Sequence, residues 1–217
     1  MSFTDSGKDT ATRILDAAEV LFVEFGFEAT SLRMITQRAA VNLAAVNYHF
    51  GSKEVLYQGV VSRRLAPYNQ ECIEELQRMQ ADAGGPLPID AVVAAFLRPA
   101  IRLSRDPARG GIIFIRLMSR AFAEPHDALR EILPKLYSDV LETYRRALSS
   151  ALPELSNNEV LWRLQFAMGT IFYAFAGNDV TRMMSLHNVP GARDPQEIVR
   201  QLTPYVVAGL SAPPVRQ

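Results

Sequence analysis

"VNLAAVNYHFGSKEVLY" spans Val41 to Tyr57. It starts with small residues, carries Asn47, Tyr48 and His49 in a row, and breaks at Gly51-Ser52-Lys53. A helix that packs into a core needs an apolar stripe, and this crowding of polar and aromatic groups interrupts one. Asn42 is placed to cap a helix over 43–49. Val46 and Phe50, four apart, share its inner face, and Val41 closes the turn before it. Asn42, Leu43, Ala44, Asn47 and Tyr48 are left facing outward, toward a surface the chain does not itself supply.

The flanks predict helices on both sides. Upstream, Ile14, Leu15, Ala18, Leu21, Phe22 and Phe25 recur with the period of one helical stripe, and Gly26 stands where a helix-ending glycine belongs. Thr30 or Ser31 can cap a second short helix with Leu32, Ile35 and Ala39 inward. Downstream, Ser52 caps a fourth helix with Glu54 near its positive end; it runs past Pro67 toward Met79. "ADAGGPLP" (81–88) is a loop. Further helices are predicted near 89–105, 110–123, 134–152, 157–187 and 195–210, with Pro134 starting or kinking its helix. No stretch alternates with period two, so the fold is predicted to be all-α. A polar, disordered tail is expected over 1–9, a three-helix unit over 10–53, a larger helical domain over 54–211, and a short tail over 212–217.

Short helices joined by a three- or four-residue turn form the helix-turn-helix arrangement, whose second helix lies in the DNA major groove. Ala44 and Ala45 allow close approach. Leu43 and Ala44 offer apolar contact to thymine methyls, and Asn47 can bond adenine or phosphate. Tyr48 and His49 bring donors for phosphates, Lys53 adds a cation at the next helix N-terminus, and Arg33 can reach a guanine. The expected DNA-facing set is Thr30, Ser31, Arg33, Asn42, Leu43, Ala44, Asn47, Tyr48, His49 and Lys53. Each residue alone fits any exposed helical face, and a lone histidine is more often structural. The spacing, the caps and the local charge together point to DNA.

That charge is local. The formal net charge over 217 residues is zero, but between Ala29 and Arg64 five cations (Arg33, Arg38, Lys53, Arg63, Arg64) face Glu54 alone. Hydrophobic residues at 48% and charged residues at 21% suit a soluble globular protein that can bury a real core. Cys72 is the one cysteine, so no internal disulfide is possible and a packing role is expected. The opening "MSFTDSGKDT" has neither the basic start nor the apolar run of a signal peptide, and the most apolar runs are too short or carry Arg116 or Arg163. A cytoplasmic location with no membrane contact is expected. His49, His126 and His187 lie far apart in sequence, and no Gly-rich phosphate loop appears, so no enzyme, metal site or cofactor is expected.

The run "ILDAAEVLFVEFGFEATSLRMITQRAAVNLAAVNYHFGSKEVLY", within residues 10–57, resembles the N-terminal domain of the TetR family of bacterial transcriptional regulators. Two departures stand out. The family's common turn glycine is Ala40 here, and a tyrosine common before the "YHF"-like triplet is Asn47. The resemblance implies that the fourth helix links the DNA-binding domain to a helical ligand domain. It also implies homodimerisation through the last two long helices, 157–187 and 195–210, giving two recognition helices about 34 Å apart for a palindromic operator. Ala167, Gly169, Ala174, Ala176 and Gly177 fit close helix contact, either between chains or within one.

"GGIIFIRLMSRAF" (110–122) is apolar nearly all round, so a central helix is expected. Arg116 would then be buried and would need an anion: an acidic ligand, or a carboxylate such as Glu142 or Glu159. Phe114, Arg116, Met118, Phe122, Trp162, Phe166 and Phe172 form the expected ligand-lining set, most of them core by default. "FIRLMSRAF", "LYSDVLETYRRAL" and "LWRLQFAMGTIFYAFAG" are similar to the ligand domain of a fatty-acid-responsive branch of the family. That similarity implies a long-chain fatty acid or acyl-CoA as effector. The expected function is a ligand-released dimeric repressor. An unregulated DNA-binding or lipid-carrying helical module is the alternative.

Overall fold

A computed structural model of the chain describes residues 3–123, 126–175, 191 and 194–215. Among them the chain forms ten α-helices, one short 3₁₀ turn and no strand, as the patterning predicts. The helices are α1 (Phe3–Ala29), α2 (Leu32–Ala39), α3 (Leu43–Phe50), α4 (Lys53–Ala83), α5 (Ile89–Ser104), α6 (Gly111–Ala123), α7 (Asp127–Arg130), α8 (Leu133–Ala151), α9 (Asn157–Phe175) and α10 (Pro195–Leu210). The part of the predicted 157–187 helix beyond Phe175 lies outside the described residues. α7 and the 3₁₀ turn Pro107–Arg109 are too short to leave a periodic signal.

α1 starts at Phe3, so residues 3–9 are helical where a disordered tail is expected. Once a helix is nucleated, each added residue gains a hydrogen bond at little further cost, and a polar segment can extend it. At the other end Gly26, at φ 81° and ψ 175°, breaks the helical path after the last apolar turn. α4 carries Pro67 in its interior and ends on Gly84, one turn beyond the expected end.

The first three helices pack with the start of α4 over one end of the hydrophobic core. Ile14, Ala18 and Phe22 of α1, Ile35 of α2, Val46 of α3, and Leu56 and Val60 of α4 are all fully buried. The rings of Phe22, Phe27 and Tyr57 pack together where α1 meets α4. The rest of that core lies among α4, α5, α6, α8, α9 and α10. There Tyr68 donates to the Phe96 carbonyl at 3.0 Å and Tyr144 to the Cys72 carbonyl at 3.0 Å.

α4 belongs to both parts of the core, and its register on α1 is held by charge. Glu19 of α1 is 3% exposed. Its carboxylate accepts from Arg63 and from Arg64, the latter at 2.9 Å, and Arg63 also reaches Asp16 at 2.7 Å. A buried carboxylate without such partners would be costly. Glu19→Gln is expected to lower the unfolding free energy by about 1.5–3 kcal/mol, the range for hydrogen bonds to charged groups. Asp16→Asn, at a largely exposed site, is expected to change it by under about 0.5 kcal/mol. Urea denaturation of the two variants checks both.

Candidate nucleic-acid interface

α2 and α3 are built by their caps. Ser31 accepts from the Met34 amide at 3.2 Å and opens α2; Asn42 accepts from the Ala45 amide at 2.8 Å and opens α3. Between them Ala40 adopts the left-handed conformation, φ 52° and ψ 48°, and its amide closes the end of α2 on Gln37 and Thr36. It is the one non-glycine residue with positive φ among those described. The αL character of this turn is therefore met without the family's usual glycine. Arg13 of α1 lies against it, donating to the Ala39 carbonyl at 2.5 Å and the Ala40 carbonyl at 2.9 Å.

Val46 anchors α3 in the core, with Phe50 and Val41 packed beside it. The opposite face is open. Asn42, Leu43, Ala44 and Asn47 are exposed, and Tyr48 is 86% exposed with its ring edge-on to His49 at 5.1 Å. An 86% exposed tyrosine buries almost nothing within its own chain, so its ring is available to an outside partner. Arg33 is exposed on α2.

Two members of the expected set are used inside the fold. Thr30 is completely buried; its hydroxyl donates to the Gly26 carbonyl at 2.7 Å and lies 3.1 Å from the Leu21 carbonyl. It braces the break in α1 and does not face outward. Lys53 places its ammonium 3.0 Å from the Phe27 carbonyl and 3.1 Å from the Thr30 carbonyl, over the Phe27 ring. Two of its three donors are thus used within the fold. The other side of this junction comes from the larger domain. The His126 ring packs 3.9 Å from that of Phe27, its Nδ1 accepts from the Ala128 amide to cap α7, and its Nε2 reaches Glu28 at 3.2 Å.

The expected ligand set divides. Phe114, Met118 and Phe172 are buried and line a void of about 20 Å³ near Tyr68. Phe172 also lines a far larger groove between α8 and α9, about 840 Å³, walled by Leu133, Tyr137, Leu141, Leu161, Leu164, Met168 and Tyr173. The side chain of Phe122 lies outside the described residues. Arg116 is exposed, so the expectation of a buried arginine is corrected. α6 turns Phe114, Ile115, Leu117, Met118 and Ala121 inward and leaves position 116 to solvent. Nor do the two suggested carboxylates serve it. Glu142 is held by Arg145 and Arg146, which bring its carboxyl down to about 2, and Glu159 by the Val215 amide and Arg163. The buried-side arginine is Arg163, which donates to the carbonyls of Leu210 and Ala212 at 2.6 Å each and of Pro213 at 2.9 Å, tying the chain after α10 to α9.

Trp162 and Phe166 do not line the groove. They are 57% and 63% exposed, their rings 5.6 Å apart, and Tyr205 of α10 is 68% exposed. Trp162 and Phe166, one turn apart on α9, thus form an exposed aromatic pair.

Comparison with known proteins agrees with this architecture. The family model "Bacterial regulatory proteins, tetR family" matches residues 14–60, and "Tetracyclin repressor-like, C-terminal domain" matches residues 94–209. The HTH-type transcriptional regulator UidR of Escherichia coli K12 is 40% identical over 52 residues, 24% of this chain and 26% of its own. The HTH-type transcriptional dual regulator CecR of Shigella flexneri is 41% identical over 56 residues, 26% of this chain and 25% of its own. The aligned part thus spans about a quarter of these curated relatives. Among solved structures, the complex of SmeT, a Stenotrophomonas maltophilia repressor, with triclosan has a TM-score of 0.63 at 23% identity, covering 96% of this chain and 99% of that one. The reduced form of E. coli NemR gives 0.60 at 19%, covering 91% and 95%. FadR, a fatty acid degradation regulator of Bacillus halodurans, gives 0.56 at 15%, covering 94% and 97%. At these identities the likeness is one of fold.

The caps and the open face separate two kinds of substitution. Asn42→Ala is expected to cost about 1 kcal/mol of stability by removing the α3 cap. Tyr48→Ala is expected to leave stability within about 0.5 kcal/mol while weakening binding to DNA. Thermal unfolding and a gel-shift titration of both variants check this.

Proposed function

The chain belongs to the TetR family of bacterial transcriptional regulators, and from that premise we propose that it is a dimeric repressor of a palindromic operator, released by an apolar or amphiphilic effector. The observation that carries the DNA half is the outward face of α3. Leu43, Ala44, Asn47 and Tyr48 are exposed on a helix held at one end by its Asn42 cap and in the middle by Val46. Leu43 and Ala44 suit thymine methyls, Asn47 suits adenine, and Ser31, Arg33, Tyr48, His49 and Lys53 suit phosphates or a guanine.

The exposed Trp162, Phe166 and Tyr205 support a two-fold interface made by α9 and α10. A two-fold axis uses one patch twice, so a single apolar face per chain suffices. It would present two copies of α3 about one DNA turn, ~34 Å, apart. No described helix is long and apolar enough to cross a membrane, and we place the protein with its DNA in the cytoplasm.

The α8–α9 groove supports the effector half. Its volume of about 840 Å³ and its Leu, Met, Phe and Tyr walls suit a flexible apolar body, and a long-chain fatty acid or acyl-CoA is the effector we propose. SmeT, of similar fold, was solved with triclosan. A ligand shifts a two-state protein only through unequal affinity for the two states. Here α8 is tied directly to the helix that carries the DNA-binding unit. Asn69 of α4 donates to the Leu136 carbonyl at 2.7 Å and Tyr144 of α8 to the Cys72 carbonyl at 3.0 Å. Widening the groove by moving α8 would therefore pull on α4 and spread the two recognition helices. Control by thiol oxidation is disfavoured, because Cys72 is fully buried and burial pushes its thiol up to about 12.

The test is a gel-shift on DNA from upstream of the protein's own gene, with and without oleate or oleoyl-CoA. The expected result is a shift abolished by the lipid and not by a detergent of equal chain length. A shift indifferent to lipid discards the effector, and no shift on any upstream fragment discards the repressor. Phe166→Asp is expected to give a folded monomer by light scattering with operator affinity reduced at least about tenfold; an unchanged dimer contradicts the α9–α10 interface.

A further inference from the structure

We propose that Arg13, on α1 and outside the recognition helix, is the positioning residue that sets the direction of α3. This rests on the DNA-binding reading above and adds a residue to it. One guanidinium nitrogen, Nη2, donates to two successive carbonyls, those of Ala39 and Ala40, at 2.5 and 2.9 Å. These carbonyls close the negative end of α2, where a cation is favoured. They also belong to the peptide units on either side of Ala40, whose φ of 52° and ψ of 48° an L-residue adopts only at a cost. The second unit leads through Val41 into Asn42, the cap of α3.

The turn therefore has one residue that resists its conformation and one cation that fixes both peptide planes around it. A glycine at position 40 would hold the same shape without help. Alanine needs the clamp. If the clamp opens, residue 40 can relax toward negative φ, and Asn42 and the exposed face of α3 swing with it. Arg13 is exposed, so its removal is not expected to unfold the core. The competing reading is that Arg13 contacts a DNA phosphate directly.

A four-protein cycle separates the two: the parent chain, Arg13→Ala, Ala40→Gly, and both together. The probe is a duplex that the parent protein selects from a random pool. Arg13→Ala is expected to weaken binding roughly tenfold, about 1.4 kcal/mol, with an unchanged salt slope. In the Ala40→Gly background the same change is expected to cost under about threefold, and Arg13→Lys, which keeps one donor nitrogen, to restore most of the affinity. Equal losses in both backgrounds, with the salt slope reduced by about one, would overturn the proposal in favour of a phosphate contact. No loss in either would overturn it outright. The same four proteins are melted without DNA, where Arg13→Ala is expected to lower Tm more in the parent background than in the Ala40→Gly background. This arm decides the clamp even if the parent selects no duplex, which would instead sink the DNA-binding reading.

Discussion

Glu19 sits buried on α1 with two consecutive guanidiniums of α4 against it. Because an ionised carboxylate so far from water must keep its partners, α1 cannot slide or roll on α4 without breaking those bonds. The constraint extends to the larger domain. Arg64 packs under Gly110, where a Cβ would come within 3.0 Å of its Cζ. The bare backbone at Gly110 is what lets the guanidinium lie between the α4 surface and the start of α6. Glu19 thus ties α1 to α4, and Arg64 carries that joint to the start of α6.

A second joint lies at the other edge of that unit. Phe27 stands between the ammonium of Lys53 and the ring of His126, while Glu28 meets His126 Nε2. Gln58 of α4 donates to the Ala128 carbonyl of α7 at 2.6 Å. The segment Phe27–Thr30, which leads into the cap of α2, is therefore in touch with both α4 and the effector domain. Under the proposed function, a movement of α8 felt at Asn69 and Tyr144 would have two routes to α3: α4 itself and the His126 contact.

Much of this was legible in the sequence, and the parts that were not share a cause. Helical period, the Ser31, Asn42 and Ser52 caps and the Gly26 break are local signals, so they place α1 to α4 and the open face of α3 well. The buried faces of Val46 and Ile35 follow from the same spacing. Tertiary partners leave no local trace. Thr30 reads as an exposed cap and Lys53 as a free cation until the chain folds back and offers each a pair of carbonyls. Arg116 reads as buried because its neighbours are apolar, yet helix rotation turns it out, and it is Arg163 that is held against the carbonyls after α10. Trp162 and Phe166 read as cavity lining, since an aromatic on an apolar helix faces inward unless a partner surface exists. Arg13, with no pattern around it, could not be found without the turn it holds.

The central claim is that α4 carries the recognition helix as one body and that an effector in the α8–α9 groove changes the spacing of two such bodies in a dimer. Double electron–electron resonance on Gln37→Cys labels tests it directly. Gln37 is exposed on α2, and Cys72 is too deeply buried to take a label. The expected result is one narrow distance between protomers when the dimer is bound to its selected duplex. Oleate should replace it with a longer one. A distance that stays the same with and without oleate would contradict the coupling, and no interprotomer distance at all would contradict the dimer on which it depends.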